Sequence, residues 1–145
     1  MSNSEALQLQ VKQAMDSWVQ DVLSKNVERI GRHYAAEIVA FDAIKQLQFK
    51  GRESYIAHWQ ACMEVCSGPG SFAPREPTIL LGGDLALVYF LCHCGGTDDK
   101  GQTQSSWMRV TQGYRQRSGQ WLIVHEHFSA PFDMQSGQAL FDLQP

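Results

Sequence analysis

The sequence predicts an α+β fold, with helices in the first part of the chain and a run of strands in the second. Up to residue 66, apolar residues recur mainly at the three- and four-residue steps of amphipathic helices. From residue 77 onward, short apolar runs alternate with glycine-containing turns, a pattern typical of antiparallel strands. Helices followed by strands favour one sheet with the helices packed on one of its faces. The length of 145 residues, without a linker or repeat, predicts a single domain over 1–145.

Capping residues and apolar periodicity predict three helices. The first, over 4–24 with Ser4 as its cap, has one apolar face: Leu7, Val11, Ala14, Met15, Trp18, Val22 and Leu23. Asn26 is a start signal for a short second helix that carries Val27, Ile30 and Tyr34. A third helix follows Gly51 and ends at the Gly- and Pro-containing segment 67–71. Its apolar residues keep helical spacing: Tyr55, Ile56, Trp59, Cys62, Met63 and Cys66.

The strands are predicted from short apolar runs bounded by turn residues. Two of them, over 38–43 and 46–50, lie between the second and third helices. Four more follow the break at 67–71, over 77–81, 85–92, 105–117 and 121–131, with turns at 82–84, 95–101 and 118–119. The tail, 132–145, is expected to pack against the domain because Leu140, Phe141 and Leu143 are apolar.

The composition excludes several classes of function. The formal net charge is −3, the pI is near 5.9 and no cluster of Lys or Arg is present, so a nucleic-acid partner is not expected. No segment approaches the roughly 18 apolar residues of a membrane span, so no membrane partner is expected either. The first residues lack the basic and apolar regions of a signal peptide, which predicts a cytoplasmic location.

Four cysteines are present, namely Cys62, Cys66, Cys92 and Cys94. A zinc site built from both pairs is conceivable, but neither spacing is that of a zinc knuckle. Buried, reduced cysteines are therefore expected, and neither a metal nor a cofactor is predicted. Asp98 and Asp99 lie in a glycine-containing loop with too few ligands for calcium, so they are expected to be turn residues.

The last predicted strand carries the strongest functional signal. In an extended strand, side chains alternate between faces, so Trp121, Ile123, His125, His127 and Ser129 share one face. That face changes from apolar to protonatable along the strand. The pattern is what a strand needs when one end lies under a core and the other under a ligand pocket. The sequence therefore predicts a pocket, provided that these odd-numbered side chains point into the fold.

The preceding strand adds Trp107, Arg109 and Thr111 to the same face, because the turn at 118–119 pairs the two strands antiparallel. A buried arginine stays charged and needs a carboxylate or an anionic ligand; Asp42, beside Phe41, is the candidate partner. Asp42 and a histidine would also form a general acid/base pair. The alternative remains that the histidines are structural, that Arg109 and Asp42 form only a buried ion pair, and that Trp107 and Trp121 belong to the core.

A second stripe is expected on the face opposite the pocket. Its members are apolar: Met108, Val110, Tyr114, Leu122, Val124 and Phe128. An exposed apolar patch of this size needs a partner, which predicts a homodimer.

Several motifs together resemble the nuclear-transport-factor-2-like superfamily, which includes SnoaL-like and ketosteroid isomerase-like proteins. They are Phe41-Asp42, Gly51-Arg52-Glu53, Trp107-x-Arg109-x-Thr111, Gly119-x-Trp121, His125-x-His127-x-Ser129-x-Pro131, and a tail with Phe132-Asp133, Ser136-Gly137 and Leu143-x-Pro145. The resemblance spans about the whole chain. It implies a cone-shaped, curved antiparallel sheet packed on three N-terminal helices, a pocket open at one end, and a homodimer.

The resemblance does not select one activity, because this fold hosts isomerases, dehydratases, hydrolases, cyclases and non-catalytic modules. One expectation is a cofactor-free isomerase or dehydratase-like lyase acting on a small carbonyl or carboxylate compound. Asp42 or His127 would be its base, and Arg109 with His125 would stabilise an oxyanion. Trp107, Phe41, Thr111 and Ser129 would contact the ligand. The alternative is a non-catalytic ligand-binding or homodimeric association module, in which Arg109 supplies a counter-charge.

Overall fold

The computed structural model describes residues 2–145, which form three helices and six strands. In chain order they are α1 (Asn3–Ser24), α2 (Val27–Gly31), β1 (Tyr34–Phe41), β2 (Phe49–Lys50), α3 (Arg52–Val65), β3 (Ser71–Gly82), β4 (Leu85–Thr97), β5 (Thr103–Arg117) and β6 (Gln120–Ser129). The predicted α+β class is confirmed. Strand β3 begins at residue 71, earlier than predicted, and Tyr34 belongs to β1 rather than to the second helix.

Two of the three helices, α1 and α2, begin at side-chain caps, whereas α3 follows Gly51 without one. At α1 the cap is Ser2 rather than Ser4: the Ser2 hydroxyl accepts from the Glu5 N–H (3.1 Å) and the Glu5 carboxylate accepts from the Ser2 N–H (3.0 Å). This reciprocal capping box satisfies two of the free N–H groups at the helix terminus. Asn26 caps α2 as predicted, with its side-chain oxygen accepting from the Arg29 N–H at 3.1 Å.

The six strands form one sheet in the order β2-β1-β6-β5-β4-β3. The pairs are antiparallel except for β1 and β6, which run parallel, so the sheet is mixed rather than wholly antiparallel. A sequence reading detects neighbours joined by short turns, such as the Ser118-Gly119 turn between β5 and β6, where both residues have positive φ. It does not detect that the end of the chain inserts β6 beside β1.

We call the helix-covered side of the sheet the inner face and the opposite side the outer face. The inner face and the apolar side of α1 form the core, whose centre is the fully buried indole of Trp18. Its ring lies 5.2 to 6.5 Å, between centroids, from the rings of Phe72, Phe90 and Phe128. Aromatic pairs at these separations add stability beyond that of the buried area.

A β-bulge changes which residues of β6 point inward. Tyr114 pairs with Ile123, but Gly113 pairs with His125, so Val124 has no counterpart on β5. Trp121 and Ile123 are buried before the bulge, whereas Glu126 and Phe128 are buried after it. An extra residue in one strand shifts the alternation by one position. The prediction that His125, His127 and Ser129 share a face with Trp121 and point inward was therefore wrong.

The alternation on β5 is also opposite to the prediction. Val110, Gln112 and Tyr114 are buried on the inner face, and Trp107, Arg109 and Thr111 therefore lie on the outer face. The stripe predicted to form a dimer interface is thus mostly internal, since Val110, Tyr114 and Phe128 belong to the core. The outer face carries a different apolar row on β4: Leu85, Leu87, Tyr89 and Leu91, each 37–45% exposed.

The tail packs only in part. The Leu140 N–H donates to the Pro131 carbonyl at 2.8 Å, and Phe132 and Ala139 form an isolated bridge. Leu140 is half-buried, whereas Phe141 and Leu143 are exposed. Within residues 2–145, the helices are too short or too polar to cross a bilayer.

Candidate functional site

A cavity of about 360 Å³ lies between α3 and one end of the inner face. Its walls are apolar: they include Trp59 and Met63 of α3, Phe72 of β3, Met108 of β5 and Phe128 of β6. Phe141 of the tail also lines it. A concave, mostly apolar space with a few polar groups is the usual form of a small-molecule site.

Asp42 supplies the carboxylate of this cavity. Ile38 and Ala40 are buried on the inner face of β1, and Asp42 continues that alternation just beyond the strand end at Phe41. Its Oδ2 lies 2.5 Å from Nε2 of His58, which α3 presents from the other side. The side chains are 14% and 7% exposed, respectively. Asp42 therefore reaches the cavity, while its partner is nearly enclosed.

Aromatic neighbours hold the His58 ring in place. It stacks on Phe49 with ring centroids 4.2 Å apart, and on Tyr55 at 6.2 Å. The sulfur of Cys62 lies 3.7 Å from the same Nε2 atom that faces Asp42. A cysteine–histidine–aspartate relay needs the two ring nitrogens to face different partners. This arrangement does not supply that relay; it orients a carboxylate.

Two further polar groups border the cavity. Nζ of Lys25 donates to the carbonyl of Cys66 at 2.5 Å and also to that of Gly68, so it bridges the end of α3 to the next segment. Nε1 of Trp59 is buried and has no hydrogen-bond partner within residues 2–145. An unpaired buried donor is unfavourable, and this nitrogen is itself closed off from the cavity that the Trp59 ring lines.

A second carboxyl, that of Glu126, lies in the core and is fully buried. It accepts hydrogen bonds from the hydroxyls of Tyr34 (2.8 Å) and Tyr55 (2.5 Å) and from the amide of Gln112 (2.6 Å). Burial raises the pKa of Glu126 to about 7, although these hydrogen bonds act to lower it. The Tyr55 ring also stacks on His58, so the buried network is contiguous with the cavity pair.

Of the residues predicted for the site, Asp42 alone lines this cavity. The predicted partner of Asp42, Arg109, instead donates from Nε to the Ser129 hydroxyl at 3.1 Å on the outer face. Thr111 pairs there with His127, and Trp107 packs against His93 with ring centroids 5.0 Å apart. The prediction that these side chains and Asp42 converge was wrong because it assumed the opposite register of β5 and an unbroken alternation along β6.

The two predicted histidines form their own outer cluster with Phe41. Nδ1 of His125 donates to the Val39 carbonyl at 2.6 Å, and the Phe41 ring lies edge-on to His125 and His127 at 4.8 and 5.6 Å. His125 therefore has the backbone partner that the structural alternative proposed.

Sequence reasoning missed His58 and Glu126. His58 shares the apolar face of α3 with Tyr55, Trp59 and Cys62. A polar side chain on an otherwise apolar helix face was the sequence feature that could have indicated it. Trp59, predicted on the apolar face of the third helix, packs against the core and also lines the cavity, together with Cys62, Cys66 and Cys94. Within residues 2–145, His, Cys, Asp and Glu side chains form no group of three or more that could hold a metal ion.

Comparison with solved structures finds proteins of the same fold. A protein of unknown function from Pseudomonas putida KT2440, described as NTF2-like, is 47% identical over 97% of this chain and 98% of its own, with a TM-score of 0.89. A candidate dehydratase of the NTF2-like family from Streptomyces avermitilis is 15% identical over 86% of this chain and 96% of its own (TM-score 0.77). A candidate scytalone dehydratase from Novosphingobium aromaticivorans DSM 12444 is 11% identical over 88% and 87% (TM-score 0.77). At these low identities, the two dehydratase likenesses concern the fold.

No curated protein matches the chain significantly. The family model described as SnoaL-like domain matches residues 11–133. This match and the close relative from Pseudomonas putida confirm the resemblance inferred from the motifs: the chain belongs to the SnoaL-like domain family of the NTF2-like superfamily.

Proposed function

We propose that the protein is a cofactor-free isomerase or dehydratase-like lyase that moves a proton on a small carbonyl compound. The observation that carries this proposal is the Asp42–His58 pair, with 2.5 Å between Oδ2 and Nε2, at the wall of a mostly apolar cavity. An apolar cavity accepts the carbon frame of a ligand, and a single oriented carboxylate acts on one C–H or O–H group.

In this proposal Asp42 is the base and His58 is its positioning partner. Asp42 would remove a proton from the carbon next to the carbonyl, and the electron pair of that C–H bond would form an enolate. The protonated Asp42 would then return the proton to a distant carbon, which isomerises a double bond, or to a leaving hydroxyl, which releases water. His58 keeps the carboxylate oriented by donating to Oδ2.

The developing oxyanion needs a donor. Arg109 and His125 face the outer side of the sheet, so we assign this role to Trp59, whose Nε1–H is unpaired but enclosed and would reach the oxyanion once the indole turns toward the cavity. Trp59→Phe keeps the ring and removes the N–H. We expect kcat to fall by about 10²-fold with little change in the melting temperature, as for the loss of one oxyanion donor.

The test uses two simple probes that give the same product. Cyclohex-3-enone isomerises to cyclohex-2-enone, and 3-hydroxycyclohexanone loses water to give it, so ultraviolet absorbance of the conjugated enone follows both reactions. Wild type is expected to accelerate at least one of them, and Asp42→Asn is expected to abolish the acceleration. The matched control is Asp21→Asn, because Asp21 also pairs with a histidine, His33 at 2.7 Å, outside the cavity. Equal loss in both variants would contradict the role of Asp42.

A second candidate function is a homodimeric association module. The row Leu85, Leu87, Tyr89 and Leu91 on the outer face favours it, because contiguous exposed apolar side chains are typical of interaction surfaces. In that case His125, His127 and Arg109, which share this face, would lie at or near the interface rather than in a pocket.

Sedimentation analysis tests this second candidate. We expect wild type to have twice the monomer mass of 16.3 kDa, and Leu87→Lys to be monomeric. Leu9→Lys is the control, because Leu9 is an equally exposed leucine on α1. If wild type were monomeric at micromolar concentration, the association-module hypothesis would be contradicted. A dimer that binds cyclohexanone but turns over neither probe would favour a binding module over the enzyme.

A further inference from the structure

Lys25 is a cation at the cavity wall that is held by uncharged groups. It caps the C-terminus of α1 and is half-buried. Its Nζ atom donates to the carbonyls of Cys66 and Gly68, which engages two of the three N–H donors of the ammonium group. The ion pairs within residues 2–145 all involve other side chains, so no carboxylate there neutralises this charge. The proposed proton transfer does not use Lys25.

Glycines surround the end of the cavity at which Lys25 lies. A Cβ added to Gly70 would lie 3.7 Å from Cε of Lys25 and 3.1 Å from the carbonyl oxygen of Gly95. A Cβ added to Gly96 would lie 3.0 Å from the sulfur of Cys66, the residue whose carbonyl binds Lys25. All five residues line the cavity. Because three of them have no side chain, this end has room for a ligand group beside the cation.

Lys25 and Asp42 are held at two separate positions along α3. Asp42 contacts His58, whereas Lys25 contacts the carbonyl of Cys66 at the C-terminus of the helix. At a rise of about 1.5 Å per residue, positions 58 and 66 are about 12 Å apart along the helix axis. A ligand contact at each end takes about 3 Å, which leaves about 6 Å between the two contacted groups of the ligand. A six-membered ring with one substituent fits this span.

We propose that the substrates of this cavity are small carbonyl compounds that carry a carboxylate, and that Lys25 binds the carboxylate. The third N–H of the ammonium group donates to a carboxylate oxygen, and the charges on both groups strengthen this hydrogen bond in a mostly apolar cavity. The carbon that loses a proton then lies toward Asp42, at the other end of the ligand. Arg109, which the sequence suggested as the counter-charge, lies on the outer face.

This inference rests on the proposed function for the reacting carbonyl group, but carboxylate binding by Lys25 does not require turnover. A ligand that cannot react therefore tests the inference by itself. Cyclohexanecarboxylate and cyclohexanecarboxamide have almost the same shape and differ in charge.

The test is isothermal titration calorimetry of both ligands at pH 7.5. Wild type should bind the carboxylate at least about tenfold more tightly than the amide, as expected for a hydrogen bond between charged groups. Lys25→Met keeps the length of the side chain and removes its charge, so it should weaken carboxylate binding by about tenfold and leave amide binding within about twofold. Lys25→Arg, which retains a positive charge, should retain a preference for the carboxylate.

Lys45→Met is the matched control. Lys45 is an exposed cation next to Ala43 and Ile44, which line the cavity, but it does not line the cavity itself. Both affinities should stay within about twofold of wild type in this variant. Loss of the carboxylate preference in Lys45→Met, with the preference retained in Lys25→Met, would assign the charge to the wrong lysine and overturn the proposal.

Three further results would overturn it: equal affinity of wild type for the two ligands, binding of neither ligand, or an equal loss of both affinities in Lys25→Met. The comparison in wild type needs no variant, so it decides the matter even if Lys25→Met does not fold.

Turnover separates this inference from the proposed function. The carboxylate-bearing probe is 3-hydroxy-5-oxocyclohexane-1-carboxylate, which loses water to a conjugated enone and carries its carboxylate across the ring from the carbon that loses the proton. Its kcat/KM should exceed that of 3-hydroxycyclohexanone by at least about tenfold. If wild type binds the carboxylate preferentially but turns over neither probe, only the proposed function is wrong. If both probes are turned over equally well and binding shows no preference, only the role of Lys25 is wrong.

Discussion

Two histidine–aspartate pairs in this chain have nearly the same geometry but different surroundings. His58 and Asp42 meet at 2.5 Å, and His33 and Asp21 meet at 2.7 Å. In the first pair the carboxylate borders a mostly apolar cavity, and within residues 2–145 its salt-bridge partner is His58 alone. In the second, Arg29 approaches Asp21 to 3.5 Å, and the pair joins α1 to the segment between α2 and β1.

A histidine–aspartate pair therefore does not by itself define a functional site. A histidine beside an aspartate fixes both side chains wherever it occurs, which is useful for joining elements as well as for chemistry. What separates the two is the space next to the carboxylate. Asp42 has a cavity in which a substrate carbon can approach, and Asp21 has a second cation instead.

Enzymatic activity should separate the two pairs most strongly. Asp42→Asn removes the base but keeps the shape of the side chain, so kcat on the enone-forming probes should fall by about 10² to 10⁴-fold. Asp21→Asn should leave kcat within about twofold of wild type. Initial-rate measurements with both variants, at equal folded fraction, check this. If kcat fell as far in Asp21→Asn as in Asp42→Asn, the position of the carboxylate at the cavity would not matter.

Glu126 is a buried carboxyl of a different kind, because its side-chain partners within residues 2–145 are tyrosines and a glutamine and it does not line the cavity. Burial raises its pKa from an ordinary 4.5 to about 7. Between these values the folded state retains a proton that the unfolded state releases, so the free energy of unfolding falls as the pH rises from about 4.5 to 7. At about 1.4 kcal/mol per pKa unit, this contribution amounts to about 3 kcal/mol.

Glu126→Gln is expected to remove this contribution to the pH dependence, since an amide does not titrate in that range. Urea unfolding of wild type and variant at pH 5 and pH 7.5 is the measurement. The difference between the two pH values should be clearly smaller in Glu126→Gln. Identical pH dependence in the two proteins would mean that Glu126 titrates normally.

A smaller effect is expected on the stability of the two pairs. Asp21→Ala leaves His33 without its partner and separates Arg29 from α1, so the free energy of unfolding should fall by about 1–2 kcal/mol. Asp42→Ala should lower it less, because water in the cavity can replace the lost carboxylate at His58. Urea unfolding curves rank the two variants, and the reverse order would contradict the division between a structural and a functional pair.

The smallest effect concerns the second cation. Arg29→Ala removes an ion pair whose arginine side chain is 54% exposed, so the loss of stability should be at most about 0.5 kcal/mol. A parallel measurement in high salt should reduce the difference further. If Arg29→Ala lowered the free energy of unfolding as much as Asp21→Ala does, Arg29 rather than His33 would be the main partner of Asp21.

The sequence predicted the helices and the succession of strands along the chain well, because both depend on local patterns. Asn26 before an apolar run does start a helix, and Ser118-Gly119 does form the turn between the last strands. The inward position of Asp42 agrees with simple alternation after Ile38 and Ala40. The parallel pairing of β1 with β6 is a long-range contact with no local signal.

The site was harder to predict because it depends on which face of the sheet the odd-numbered side chains of β5 and β6 occupy. Arg109, Thr111, His127 and Ser129 do share a face, because Arg109 pairs with Ser129 and Thr111 with His127. The choice of the inner face rested on the apolar residues Trp121 and Ile123 at the start of the last strand. Trp121 lies on the inner face and Trp107 on the outer face, because the extra residue Val124 shifts the alternation of side chains along β6 by one position. His58 comes from a helix, and sequence reasoning gave no indication that it would meet Asp42.

The unpaired Val124 also limits how functional positions can be compared between relatives. Upstream of it an odd-numbered residue lines the interior; downstream the same parity belongs to the opposite surface. A homologue that lacks this one residue would keep its histidines on the outer face, whereas one that keeps the residue but pairs it regularly would present them to the helices, with an unchanged motif. The pairing of the strands at this point, rather than the motif alone, decides which side chains a relative presents to the interior.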